Sequence, residues 1–162
     1  MRVKKIIIAF ACVLFAALSL YIHAYSDAVS SKNESERRAA KQAEKKGIVQ
    51  VTDVYTYRGN DVYVIVTGKD DEGEQWIVWV TEKGEVAAMH RASEGMTKQQ
   101  ALSSVKPYRP KTVISVKLGM EKGIPLWEIT YIDEQNRYSF YYVRFKDGAF
   151  LKRYHLTRGK DV

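Results

Sequence analysis

Apolar and polar residues alternate with a period of two through much of this chain, and the pattern predicts eight strands. Four lie in the first half, at Ile48–Tyr57, Asp61–Gly68, Glu74–Thr81 and Glu85–His90. Four follow in the second, at Thr112–Leu118, Pro125–Ile132, Tyr138–Phe145 and Ala149–His155. Thr112, Ile114, Val116 and Leu118 face one way there, with Lys111 and Lys117 on the other side. The third strand of each set breaks the alternation. Trp76, Val78 and Val80 oppose Ile77 and Trp79, and Tyr138, Phe140 and Tyr142 oppose Tyr141, Val143 and Phe145. A strand apolar on both faces must be covered on both.

Each set is preceded by a segment of helical pattern. Asn33 is a candidate N-cap with Glu36 three residues on, and Ala39, Ala40 and Ala43 then line one side of a charged helix closed by Lys45, Lys46 and Gly47. Thr97 and Gln100 repeat the capping arrangement, Ala101, Leu102 and Val105 supply the apolar contacts, and Pro107 and Pro110 keep this helix short. One helix covers one sheet face. The second face of each doubly apolar strand therefore packs against the other set or against another protein. Sliding the chain on itself by 64 residues places Asn33 on Thr97, Tyr63 on Trp127, Ile65 on Ile129, Trp76 on Phe140 and Gly84 on Gly148 without a gap. The expectation is an α+β chain of two tandem copies, 33–96 and 97–156, each a helix on an antiparallel sheet.

The N-terminus adds a membrane. Ile6–Ile22 is apolar apart from Ser19 and follows Arg2, Lys4 and Lys5. As a helix it spans about 25 Å, with Tyr21, His23 and Tyr25 placed to extend it into the interface. Residues 1–25 thus read as a cytoplasmic basic tip and single-pass anchor, 26–32 as a linker, and 157–162 as a basic tail. The rest faces outward under the positive-inside rule. A cleaved signal peptide is the alternative, with small residues at Ala24-Tyr25-Ser26 and Ser26-Asp27-Ala28. Cys12 is the single cysteine among 162 residues, so no intramolecular disulfide forms. The formal net charge is +7, unevenly shared. Residues 33–96 hold 9 basic and 12 acidic side chains, while 97–162 hold 13 and 6. That excess draws the second half toward anionic lipid or wall polymer.

Catalytic motifs do not emerge. The acidic run Asp70, Asp71, Glu72 and Glu74 lacks calcium-loop spacing and reads as a turn, and no cofactor or metal is expected. Glu128, mid-strand between Trp127 and Ile129, has no evident partner to tune it as a general acid. His90 and His155 read as edge-strand residues. Lys152, Arg153, Tyr154, Arg158 and Lys160 make a basic aromatic tail, but an exported chain meets no nucleic acid.

Asp61-Val62-Tyr63-Val64-Ile65-Val66-Thr67-Gly68, Gln75-Trp76-Ile77-Val78-Trp79-Val80, Leu126-Trp127-Glu128-Ile129-Thr130-Tyr131 and Tyr138-Ser139-Phe140-Tyr141-Tyr142-Val143, behind a basic-tipped anchor, resemble the TseB-like cell-wall elongation regulators of Gram-positive bacteria. The resemblance covers essentially the whole chain. It implies two cystatin-like, PepSY-like units outside the membrane, a non-enzymatic role and a penicillin-binding transpeptidase as partner. PepSY-type units also imply an alternative, an inhibitor or assembly factor for an extracytoplasmic protease. Wall-polymer or anionic-lipid binding is a third reading. No catalytic residue carries over. The candidate partner contacts are the strand aromatics Trp76, Trp79, Trp127, Tyr138, Phe140 and Tyr142.

Overall fold

The computed structural model describes Leu14 and residues 33–156. The anchor, its alternative cleavage sites, the linker and the basic tail fall outside the described residues, apart from a helical Leu14. Among the described residues no helix is long and apolar enough to cross a membrane.

From Glu36 on, the chain is one compact unit. Helix α1 (33–45) leads into β1 (Gln50–Arg58), β2 (Val62–Lys69), β3 (Gln75–Thr81) and β4 (Val86–Arg91). Then come α2 (Lys98–Ser103), β5 (Thr112–Glu121), β6 (Ile124–Ile132), β7 (Tyr138–Arg144) and β8 (Phe150–Leu156). Two four-stranded antiparallel meanders result, ordered β1-β2-β3-β4 and β5-β6-β7-β8. The fold is α+β, with helical elements flanking each sheet.

Local chemistry closes the helices. After α1, Ile48 N–H donates to Ala43 O (3.2 Å), a Schellman closure that Gly47 permits at φ 99°. It drops Ile48 into the same cluster as Ala43. Asn33 is itself helical, so it is not the cap; Glu36 instead accepts from Thr56 Oγ1 of β1 at 3.0 Å. At α2 the capping box is complete. Thr97 Oγ1 accepts from Gln100 N–H (3.2 Å), and Gln100 Oε1 accepts from Thr97 N–H (2.8 Å).

The doubly apolar β3 has both faces covered by this chain. Val78 and Val80 lie with Val64, Val66, Ala39 and Ala43 under α1. Ile77 and Trp79 face the other way, into a second cluster with Leu118, Met120 and Leu126 of the second sheet. On the second sheet, Ala101 and Val105 pack with Trp127, Ile129, Tyr131, Tyr141 and Val143.

The sheets repeat each other's irregularities, but not at one fixed spacing. Thr52 is the extra residue of the β1–β2 bulge and Ile114 that of β5–β6, 62 positions on. Asp70 and Asp133, 63 apart, organise the β2–β3 and β6–β7 turns. Ala87 and Leu151 are the extra residues beside β3 and β7, 64 apart. The gapless 64-residue register is therefore corrected. Counterparts drift by one residue at each of two turns, which moves Ile65 opposite Glu128, not Ile129. A one-residue drift in a strand exchanges its faces.

The Asp133 turn supplies a pH prediction. Its Oδ1 accepts from Gln135 N–H (3.0 Å) and Arg137 N–H (2.9 Å); Oδ2 accepts from Arg137 Nε (2.7 Å) and Ser139 Oγ (3.2 Å). Burial pushes this carboxyl up, but the Arg137 backbone, the Arg137 guanidinium and Ser139 together bring it down from 3.8 to about 2. A depressed carboxyl stabilises the fold fully above its unfolded-state value and loses that contribution as pH falls through the folded one. In thermal melts of the full chain in detergent micelles, Asp133→Asn is expected to melt below wild type at pH 7. The gap should close as pH falls from about 4 to about 2. A gap independent of pH would contradict the assignment.

Candidate functional site

Register places three cross-strand rows on the face of the second sheet turned away from α2. They are Ile132–Tyr138–Leu156, Thr130–Phe140–Tyr154 and Glu128–Tyr142–Lys152. The last row is closed off by the first sheet. Tyr57 reaches across from β1 and donates to Glu128 Oε2 at 3.3 Å, and Tyr142 donates to the same oxygen at 2.9 Å. Glu128 is thus a buried-side acceptor that joins the sheets, not a lone carboxylate. Burial pushes both phenols well above their ordinary range, with Glu128 reinforcing the shift at each and Tyr154 adding to it at Tyr142. Both stay protonated and donate at any physiological pH. Lys152 lies 4.4 Å from the Tyr142 ring centroid and pairs with Glu121 Oε2 at 2.6 Å.

The other two rows open toward β7 and β8, while Thr130 on β6 is buried. Tyr138 is 48% exposed, Tyr154 42% and Leu156 57%, with Ile132 and Phe140 half-buried beside them. The Phe140 and Tyr154 rings stack at 4.9 Å, and Tyr154 stacks in turn on Tyr142 at 5.8 Å. This ladder stiffens the face while leaving ring edges and Leu156 at the surface.

The six aromatics expected to meet a partner therefore separate. Tyr138 is at the surface and Phe140 lies beside it. Trp76 is half-buried: its Nε1–H donates to Asp70 Oδ2 at 2.7 Å, and Arg91 sits 5.2 Å over its ring. Trp79, Trp127 and Tyr142 are interior, which removes them from any docking face. Trp79 is 0% exposed and its Nε1–H donates to Gly119 O across the seam at 2.8 Å. Trp127 donates to Met96 O (2.9 Å) beneath α2, and Tyr142 is spent on Glu128. Tyr154 and Leu156 of β8 belong to the same face. Only the pairing of β8 with β7 shows that they complete the face.

No metal centre takes shape among the described residues. Asp70 resembles a ligand in sequence only. The Trp76 indole and the N–H groups of Glu74 (2.9 Å) and Glu72 (3.1 Å) occupy its oxygens and lower its pKa, burial opposing them.

Comparisons with known proteins agree with this geometry. Residues 38–81, from α1 through β3, match the family described as the cell wall elongation regulator TseB-like domain. A Bacillus subtilis (strain 168) protein named "Probable cell wall elongation regulator TseB" is 32% identical over 160 residues, spanning 94% of this chain and 98% of its own. The solved structure of the YpmB protein from Bacillus subtilis aligns with a TM-score of 0.67 at 32% identity, covering 73% of this chain and 94% of that one. Identity at this level along nearly the full length of both sequences, with a shared fold, makes the chain a member of the TseB-like family of cell-wall elongation regulators.

Proposed function

We propose that this regulator is tethered to the outer face of the cell membrane by Ile6–Ile22 and docks on a penicillin-binding transpeptidase through the open face of its second sheet. The observation that carries the reading is that face. Tyr138, Tyr154 and Leu156 are exposed together beside Phe140, on a sheet whose other side packs Trp127, Ile129, Tyr131, Tyr141 and Val143 into the core. Clustered exposed apolar residues on a small unit mark an interaction surface. Aromatic anchors of this kind also carry a large share of binding energy in protein interfaces. Residues 33–96 and 97–156 are read as two PepSY-like, cystatin-like units, the first serving mainly as support for the second. A tether confines the unit to the same surface as a membrane-bound partner, so a modest docking affinity suffices. Binding, not catalysis, is the mode of action.

Photo-crosslinking from Tyr138 of the full-length chain in living cells tests this. The expected adduct is a wall-synthesis transpeptidase, and Leu156→Asp should cut its yield about tenfold, the scale of one lost anchor. A protease adduct would replace this reading with the inhibitor reading. Binding to wall polymer or anionic lipid that collapses with salt, with no protein adduct, would favour the +7 second half as an electrostatic patch.

A further inference from the structure

We infer that a small cavity beside the β6–β7 turn, on the α2 side of the second sheet, binds a phosphate group. The inference does not rest on the docking reading, because β8 sends Tyr154 and Leu156 to one face and Arg153 and His155 to the other. The short helical turn Lys106–Tyr108 brings Tyr108 to the cavity, and β6 brings Tyr131. Asp133 and Arg137 come from the turn that follows, Arg153 and His155 from β8. The volume is about 100 Å³, room for several waters or one small oxyanion.

At its floor is a phenol without a protein partner. Tyr131 is 1% exposed, and its hydroxyl makes no hydrogen bond with any described residue. It is not sealed in either, since no fully buried side-chain polar atom among the described residues lacks a partner. The hydroxyl therefore opens on the cavity that Tyr131 lines, where water or a ligand satisfies it. Two more phenols stand close by. The Tyr108 and Tyr141 rings lie 5.3 Å apart. Burial and the neighbouring Tyr108 and Tyr131 push the Tyr141 phenol up, while Arg153 draws it down, so the three rings meet beside one guanidinium.

The lining is cationic without help from histidine. Arg137 Nη1 lies 3.0 Å from His155 Nε2, and a guanidinium only donates, so this nitrogen accepts and the imidazole is neutral in this arrangement. Two guanidiniums then face one carboxylate, Asp133, whose oxygens are already taken by Gln135, Arg137 and Ser139. Arg153 is the charge left over. It lies 4.2 Å over the Tyr108 ring and makes no hydrogen bond or ion pair with any described residue. A guanidinium laid on an aromatic ring keeps its N–H edge free and is ordered before a ligand arrives. One such fork saturates a planar carboxylate. Phenol and guanidinium donors reaching in from separate elements suit an oxyanion with acceptors on several sides, which is the geometry of phosphate.

The test uses the full chain in maltoside micelles with ring-labelled tyrosine, read by NMR at Tyr108 and Tyr131. Inorganic phosphate is expected to shift both signals saturably, and sodium chloride at equal ionic strength to leave them in place. Acetate should bind about fivefold or more weakly. Arg153→Gln, at an exposed position, should weaken phosphate binding about tenfold. Tyr131→Phe, read at Tyr108, removes a hydroxyl that no described residue holds. It should weaken binding about threefold and leave the melting temperature unchanged. No saturable shift, equal affinity for acetate, or full binding by Arg153→Gln overturns the inference. Phosphatidylglycerol added to the micelles and soluble glycerol phosphate distinguish the source. Shifts of the same tyrosines by the lipid, competed by phosphate, support a headgroup; shifts by glycerol phosphate alone support a soluble ester. Leu156→Asp should leave the phosphate Kd unchanged, so this site and the docking face fail separately.

Discussion

Replacing Trp79 by alanine is expected to lower the unfolding free energy of this chain by about 3–5 kcal/mol. The indole is fully buried where β3 meets the second sheet, opposite Ile65 of β2 and against the rings of Phe145 (5.5 Å) and His90 (5.9 Å). Truncation leaves a cavity lined by both sheets, and neither can close it without sliding on the other. It also removes the hydrogen bond that the Gly119 carbonyl accepts from Trp79 Nε1 at 2.8 Å. Trp79→Phe keeps most of the volume and isolates that second effect, with an expected cost of about 1–3 kcal/mol. A unit of this size has roughly 5–15 kcal/mol in total, so the alanine variant retains only a fraction of its stability. Urea unfolding should show a lower midpoint at an unchanged slope if the sheets still unfold together. Loss of less than about 1 kcal/mol would mean that the seam contributes little and the sheets are stable separately.

This residue also shows how far the sequence could be read. The alternation in Thr112–Leu118 specifies a strand because Lys117 and Ser115 give it a polar face. The Thr97–Gln100 capping pair specifies the start of α2 because both partners are local. The double apolarity of Gln75–Thr81 announces that both faces are covered, but not by what. Trp79 and Tyr138 are each aromatic residues on third strands, and one is interior while the other is open. The difference lies in β5, whose Leu118-Gly119-Met120 crosses the first sheet and carries no conspicuous signature. Tyr138, by contrast, is 48% exposed among the described residues. Likewise the 64-residue spacing is right for β4 and β8, and fails earlier because single-residue changes at turns leave composition unaltered while exchanging strand faces. The docking face depends on pairing Tyr138 with Leu156 and Phe140 with Tyr154, contacts that only a folded sheet makes.

Gly119→Ala is expected to destabilise the chain by about 1–3 kcal/mol although it adds one methyl group to a residue with ordinary strand geometry. A Cβ at Gly119 would lie 2.5 Å from Tyr57 Cε2 and Cζ and 2.8 Å from Cδ2, contacts that real side chains do not make. The ring has nowhere to go, because a Cβ on Gly59 would lie only 2.8 Å from its opposite edge. Two glycines thus form the slot that lets Tyr57, 4% exposed, cross from β1 to Glu128. Moving the ring breaks that 3.3 Å hydrogen bond and leaves Glu128 with Tyr142 alone among the two phenols that hold it. The cause is steric and pairwise, so a double-mutant cycle checks it. Tyr57→Ala alone should cost about 3–5 kcal/mol, and in that background Gly119→Ala should cost almost nothing. A coupling of about 1 kcal/mol or more is the expected signature, and strictly additive losses would show that the slot is not what positions the second sheet on the first.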